Sequence, residues 1–408
     1  MTTTTEDAGD VAASAEAGPS PSAPSTNALV RQGNLSAVLT MLHHDGPHSR
    51  AELVRRTGLT RSTMTVLTAE LIELGLAREG QSRSGVGRVG RPAVKLEANP
   101  EVAAIAVHPE VDAITVGVVG LGGEVLRRVR YDTLAPASAR DTVRIVRSIV
   151  EGMRPDLERD HRIVGAGVAV PGLVRSRTGK VLMAPHLGWR NEGIAEALGR
   201  ALGDEVVAAN DASIGAKAEA VFGAGRGVRN MVFANGTAKG IGGGVIINGE
   251  VLNGTEGFAG EIGHTLVDSQ GSRCYCGRRG CLETEVNPRH LLPFLGRHHI
   301  DEDELDIALG LSRDPALLRE VARQAELLSE ALTNFVNLFS PDLVVLSGYL
   351  GNLLSVSRER LTEAVRLRPL GGEARSVRLE RASLRSSLML VGAAELVFER
   401  RVLPVSGS

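Results

Sequence analysis

The chain has few of the features that would place it in a membrane or in a disulfide scaffold. No apolar run in its 408 residues approaches the 18 or more that a membrane span requires. The N-terminus lacks the basic-then-apolar pattern of a secretory signal, so a cytoplasmic protein with no membrane partner is expected. Cysteine is scarce: the three present, Cys274, Cys276 and Cys281, form an odd set within eight residues, which argues against structural disulfides. Aromatic residues make up 3%, so the core must be aliphatic, and 48 glycines imply many tight turns. Lysine occurs only at 95, 180, 217 and 239, leaving arginine to carry the positive charge.

The formal net charge of −2 conceals a segmented chain. Residues 1–26 carry −4, residues 27–95 carry +5, and the remainder carries −3. A small basic segment on a slightly acidic body suggests a nucleic-acid module. Length implies two or three domains.

Residues 1–26 lack apolar periodicity and read as a disordered tail. A helical pattern follows from about Asn27, with Leu29, Leu35, Val38, Leu39 and Leu42 expected on one face until Asp45-Gly46-Pro47 breaks it. Ser49-Arg50-Ala51-Glu52 fits a capping box for a short helix ending near Gly58. Thr60 then caps a second helix, from Arg61 to about Leu74. A helix, a turn and a helix with a polar leading end form a helix-turn-helix, and Arg61, Ser62, Thr63 and Thr65 are the candidate DNA contacts. Arg83–Pro92 alternates glycine with arginine. It suits a wing reaching a minor groove through Arg88 and Arg91, or a flexible linker at the domain boundary.

From about Val102 apolar strands alternate with amphipathic helices. Strands are expected at 103–107, 113–119, 124–131, 164–170, 205–209 and 343–346, and helices at 141–153, 192–202, 316–339 and 386–399. This grammar over some 300 residues implies a two-lobed α/β body with a cleft.

Four clusters in that body carry chemistry: Gly165–Gly172, Ala184–Trp189, Asn210-Asp211-Ala212, and Gly257–His264 followed by Cys274–Glu283. The ordered series resembles the ROK family of repressors, open reading frames and sugar kinases, from about residue 100 to the C-terminus. The helix-turn-helix in front is similar to that of its repressor branch. The resemblance implies an N-terminal winged helix-turn-helix followed by a two-lobed actin-like, ribonuclease H-like sugar-kinase fold. The expected division is 1–26 tail, 27–98 DNA-binding domain with wing, 99–210 plus 388–408 first lobe, and 211–387 second lobe.

His264, Cys274, Cys276 and Cys281 form a Cys₃His set, closed to substrate, and suit a structural Zn²⁺. The resemblance places His186, Asn210, Asp211, Glu261, His264 and Glu283 around a sugar, with one His264 ring nitrogen on zinc and the other toward the ligand. His186 stands where the family more often has asparagine. Asp211 matches the catalytic base of the kinase members. Those kinases carry Asp-x-Gly-Gly-Thr after the first strand, where this chain has His108-Pro109-Glu110-Val111-Asp112. Their second phosphate segment, Gly-Thr-Gly, is here Ala238-Lys239-Gly240. Loss of the glycines that admit backbone amides to phosphate disfavours catalysis. The expectation is a sugar-responsive repressor of carbohydrate-metabolism genes, dimeric or tetrameric, binding a double-stranded operator and a small sugar. The alternative is an ATP-dependent sugar kinase with a regulatory head.

Overall fold

The computed structural model describes residues 26–80, 94–297, 300–372 and 375–405. Its N-terminal head contains α1 (Thr26–Asp45), β1 (His48–Ser49), α2 (Arg50–Thr57), α3 (Arg61–Glu73), β2 (Ala77–Glu79) and β3 (Lys95–Ala98). The capping box forms as expected. Ser49 Oγ accepts from the Glu52 amide, and the Glu52 carboxylate accepts from the Ser49 amide at 2.8 Å. Gly58, at φ 72°, ends α2 in the left-handed region, and the Thr60 side chain accepts from the Thr63 amide to start α3. Leu35, Leu39, Leu42, Leu53, Met64, Leu71 and Leu96 fill the head's core.

Leu29 departs from expectation and is 53% exposed. Six residues before Leu35 is one and two-thirds helical turns, which takes it off the apolar stripe. Strands β2 and β3 are antiparallel partners in a sheet of order β1-β3-β2, flanking residues 81–93. Arg88 and Arg91 lie outside the described residues.

The first body sheet is built from β4 (Val102–Pro109), β5 (Ala113–Gly120), β6 (Val125–Asp132), β7 (Arg162–Val170) and β11 (Val206–Asn210), in the order β11-β7-β4-β5-β6. β4 to β6 form an antiparallel meander, and β7 and β11 add in parallel. Helices α4 (Ala139–Asp160) and α5 (Ile194–Leu202) cover one side. α4 runs seven residues past its expected end, straight through Pro155. A small antiparallel sheet, β8 (Leu173–Arg175), β9 (Lys180–Ala184) and β10 (Trp189–Glu192), interrupts the α/β alternation.

α6 (Asp211–Phe222) leads into the second sheet: β12 (Met231–Thr237), β13 (Gly240–Ile247), β14 (Glu250–Val251), β15 (Leu343–Gly348) and β16 (Arg378–Arg381), ordered β14-β13-β12-β15-β16. Its apolar backing comes from α7 (Leu282–Glu285), α8 (Leu292–Leu295), α9 (Glu302–Leu311), α10 (Pro315–Phe339), α11 (Tyr349–Val356) and α12 (Arg358–Arg366). β4 and β15 are almost wholly buried, as are Gly165–Val170 of β7 and Met231–Ala234 of β12, which is why these stretches read as mostly apolar runs rather than alternating ones. The last helix, α13 (Leu388–Arg401), returns to pack against β4, β7 and α6, and its apolar face merges with the core of the head. Among the described residues no helix is long and apolar enough to cross a membrane.

Candidate functional site

A cleft of about 1250 Å³ opens between the two body sheets. Its walls include all six residues expected at a sugar: His186, Asn210, Asp211, Glu261, His264 and Glu283. Asp211 and Asn210 stand where β11 hands over to α6. Asn210 caps that helix, its Oδ1 accepting from the Ser213 amide at 2.9 Å while its Nδ2 donates to the Gly172 carbonyl at 3.0 Å. Much of its hydrogen-bonding capacity therefore serves the backbone. Asp211 Oδ1 accepts from the Ala212 amide at 2.8 Å. Burial raises the Asp211 carboxyl to about 7, and the nearby Glu261 carboxylate adds to the rise. Glu261 is itself raised by burial, with Glu283 contributing. Three acids converging in one cavity suit a ligand that donates several hydroxyl hydrogens.

Backbone interlock holds Glu261 and His264 in place. A Cβ on Gly263 would lie 1.9 Å from the Ile241 carbonyl oxygen, and one on Gly243 would lie 2.2 Å from the Ile262 side chain. The Gly-Glu-Ile-Gly-His turn thus seats directly on the glycine-rich β13. His186 reaches the cleft from the turn after β9, and burial lowers its ring.

His264, Cys274, Cys276 and Cys281 offer donor atoms that all lie within 4.8 Å of one another. His264 Nδ1 is 3.5 Å from Cys274 Sγ, and Cys276 Sγ is 3.6 Å from Cys281 Sγ. Ligands of tetrahedral zinc with bonds near 2.3 Å stand roughly 3.7 Å apart, so the donor set and spacing fit that ion. The His264 Nδ1 also lies 3.3 Å from the Glu283 carboxylate, while Nε2 is 3.0 Å from the Tyr275 hydroxyl. Glu283 Oε1 lies 3.0 Å from Cys274 Sγ, tying the acid to the cysteine loop as well as to the cleft.

Tyr275 was not among the expected site residues. The available signal was that it is the one aromatic residue between metal-spaced cysteines in an aromatic-poor chain.

Ion pairs link the β4–β5 and β12–β13 turns across the cleft. Lys239, on the β12–β13 turn, reaches across the cleft to Asp112 on the β4–β5 turn at 3.1 Å. Arg130 joins Glu110 at 3.0 Å and Asp112 at 3.5 Å. The Asp112 carboxyl resists burial and is lowered, chiefly by Lys239. A second bridge between the lobes pairs Arg175 of β8 with Glu256, whose carbonyl also accepts from the Ser176 amide at 3.0 Å.

On α3, Arg61, Ser62 and Thr65 are exposed, whereas Thr63 is half-buried and bonded to the cap residue Thr60 at 2.9 Å. Val66, 57% exposed on the same face, is a further candidate that sequence reasoning missed. An apolar side chain there suits a thymine methyl group.

Head and body meet at His43, His44 and Glu395. His43 Nε2 is 2.8 Å and His44 Nε2 2.9 Å from the two carboxylate oxygens of Glu395. The three residues have the composition of a metal site. The Gly122 amide, however, donates to His43 Nδ1 at 2.7 Å, which leaves the ring proton on Nε2 to donate to Glu395. The trio is a hydrogen-bonded joint, not a ligand set.

Comparison with known proteins agrees with this architecture. The ROK family model matches residues 104–400, and the IclR helix-turn-helix domain model matches residues 35–80. The chain belongs to the ROK family. It is 26% identical over 387 residues to the xylose repressor of Caldicellulosiruptor bescii, covering 90% of this chain and 96% of that one. It is 28% identical over 334 residues to the transcriptional dual regulator NagC of Escherichia coli, covering 78% and 81%. The crystal structure of a ROK family transcriptional regulator, a homologue of the E. coli MLC protein, superposes with a TM-score of 0.73 at 26% identity, over 92% of this chain and 98% of that one. A ROK family glucokinase from Streptomyces griseus, in complex with glucose and AMPPNP, matches with a TM-score of 0.62 at 26% identity, over 72% and 98%.

Proposed function

We propose that this protein is a sugar-responsive transcriptional repressor acting on carbohydrate-metabolism genes, with a DNA-binding head and a sugar-binding, non-catalytic body. The observation that carries the reading is the pairing of two sites in one chain. A capped recognition helix presents Arg61, Ser62, Thr65 and Val66 outward, and a cleft gathers His186, Asp211, Glu261, His264 and Glu283.

In this reading the acids accept hydrogen bonds from sugar hydroxyls, and burial in the cleft strengthens them. His264, Cys274, Cys276 and Cys281 hold Zn²⁺, which fixes the loop carrying His264 and Tyr275 beside the ligand. Arg88 and Arg91, outside the described residues, add two cations suited to minor-groove contact. The Asp112–Lys239 and Arg175–Glu256 pairs join the lobes on two sides of the cleft, so a ligand that changes their separation shifts the head through α13. A dimer, or a tetramer built from it, presents two heads to two half-sites. The protein works in the cytoplasm, where its operator is.

The kinase reading draws on one observation. An Asp211 carboxyl raised to about 7 is suited to taking a proton from an attacking hydroxyl. Against it stands the neutralisation of Lys239 by Asp112 where a phosphate would need an open positive site. A coupled ADP-release assay with xylose, glucose and N-acetylglucosamine separates the two, with no sugar-dependent turnover expected. Arg61→Ala should weaken operator binding and spare sugar binding. Asp211→Ala should do the converse, and an unchanged sugar response in that variant would place the effector elsewhere.

A further inference from the structure

Two tyrosines line the cleft, and they differ: Tyr349 is buried with its hydroxyl donated to Gln324, whereas Tyr275 is 50% exposed. Its ring meets two of the sugar-site imidazoles edge-on, His264 at 5.1 Å and His186 at 5.8 Å between centroids. Its hydroxyl is 3.0 Å from His264 Nε2. That nitrogen has a definite role. His264 Nδ1 lies 3.5 Å from Cys274 Sγ and 3.3 Å from the Glu283 carboxylate; with zinc bound at Nδ1, the remaining ring proton sits on Nε2, so His264 donates and the Tyr275 oxygen accepts. The donor that would serve a sugar hydroxyl is therefore already engaged.

We propose that Tyr275 is a placeholder for the effector: its hydroxyl occupies the His264 Nε2–H that a sugar hydroxyl takes over, so the sugar binds by displacing Tyr275. This rests on the sugar-binding reading above and adds a specificity residue to it. Displacement couples the ligand to the cysteine loop, because Tyr275 lies between Cys274 and Cys276 in the chain. It also sets a threshold. A molecule without a hydroxyl acceptor at this point cannot replace the hydrogen bond that Tyr275 makes, and so leaves Tyr275 in place. The edge-on contacts with His186 and His264 give the ring a defined position to leave, and the open side of the cleft gives it room.

The test uses the full-length, zinc-loaded protein titrated calorimetrically with xylose, glucose and N-acetylglucosamine. Tyr275→Phe keeps the ring but removes the competing acceptor. It should tighten binding roughly threefold to tenfold, the worth of one net hydrogen bond, with zinc content unchanged. A second readout needs no variant to bind metal normally. The chain has three tyrosines, so ¹³C-labelled tyrosine gives three ring signals in the native protein, and sugar should shift that of Tyr275 while leaving those of Tyr131 and Tyr349. Sugar binding with equal or weaker affinity in Tyr275→Phe, or with an unmoved Tyr275 signal, overturns the placeholder alone. Native protein that binds none of the three sugars overturns the sugar reading, and the placeholder with it.

Discussion

His43 of the head donates a 2.8 Å hydrogen bond to Glu395 of the body, joining residues 352 positions apart in the chain. The Glu395 carboxyl is buried, which would raise it, yet the two histidines outweigh burial and lower it to about 2. The rings of His43 and His44 also meet Phe222 edge-on at 5.2 and 6.0 Å. Phe222 ends the helix that Asp211 begins, so α6 runs from the cleft to the joint. Lys217, midway along α6, pairs with Glu399 on α13 at 2.6 Å, linking the two helices that the joint depends on.

Breaking the joint should separate sensing from response. Glu395→Gln keeps the shape but leaves an amide hydrogen facing the histidine donors. We expect destabilisation of about 3 kcal/mol, in line with loss of one partner of a buried pair. Sugar should still bind in calorimetry, while operator affinity measured by fluorescence anisotropy no longer changes with sugar. Retention of a full sugar response would show that coupling travels by another route.

Asp211 should trade stability for binding in a pH-dependent way. Its carboxyl is raised in the folded state from 3.8 to about 7, so folding favours the protonated form. Stability from this group is therefore full below pH 4 and is lost as pH rises through 7. Asp211→Asn removes that penalty. Thermal unfolding should show the variant more stable than the native protein at pH 8, by up to about 3 kcal/mol, with no gain near pH 4. Sugar binding should fall sharply at both values.

Metal removal should silence the effector site before it harms the head. One zinc per chain is expected by elemental analysis, and Cys276→Ser should lose it. Sugar affinity should fall at least tenfold, since His264 then has no anchor, whereas operator binding without sugar should persist. Equal sugar affinity with and without metal would separate the cysteine loop from the ligand.

The recognition face makes two distinguishable predictions. Arg61→Ala should lower the salt dependence of operator binding by about one unit of slope if the side chain holds a phosphate. Val66→Ala should leave that slope alone and relax preference at one base pair, by about 1 kcal/mol, as expected for a thymine-methyl contact. Competition binding against operators substituted position by position reads both.

How far the sequence could be read depended on how local each feature was. The Ser49–Glu52 capping box, the Gly58 turn and the Thr60 cap involve neighbours three or four residues apart, and each is visible as a pattern. The cysteine spacing was equally legible. Strands β8 to β10 were not, because segments of three to five residues carry no period to recognise. Leu29 is apolar, but its angle around α1 turns it to solvent, and composition alone does not carry that angle. The Asp112–Lys239 pair spans 127 residues and two lobes, so the sequence showed a cation but not its partner. His43 and Glu395 were illegible for the same reason. Tyr275 was open to view between its cysteines, but only the structure shows its hydroxyl on His264.

The central claim is that one ligand site in the body governs the DNA affinity of the head. Genomic fragments recovered with the full-length protein supply an operator, and anisotropy then gives its affinity with and without xylose, glucose or N-acetylglucosamine. One of these sugars should weaken operator binding at least tenfold in the native protein, and Asp211→Ala should bind the same operator equally well with no response. Operator affinity indifferent to every sugar, or a full response in Asp211→Ala, would contradict it.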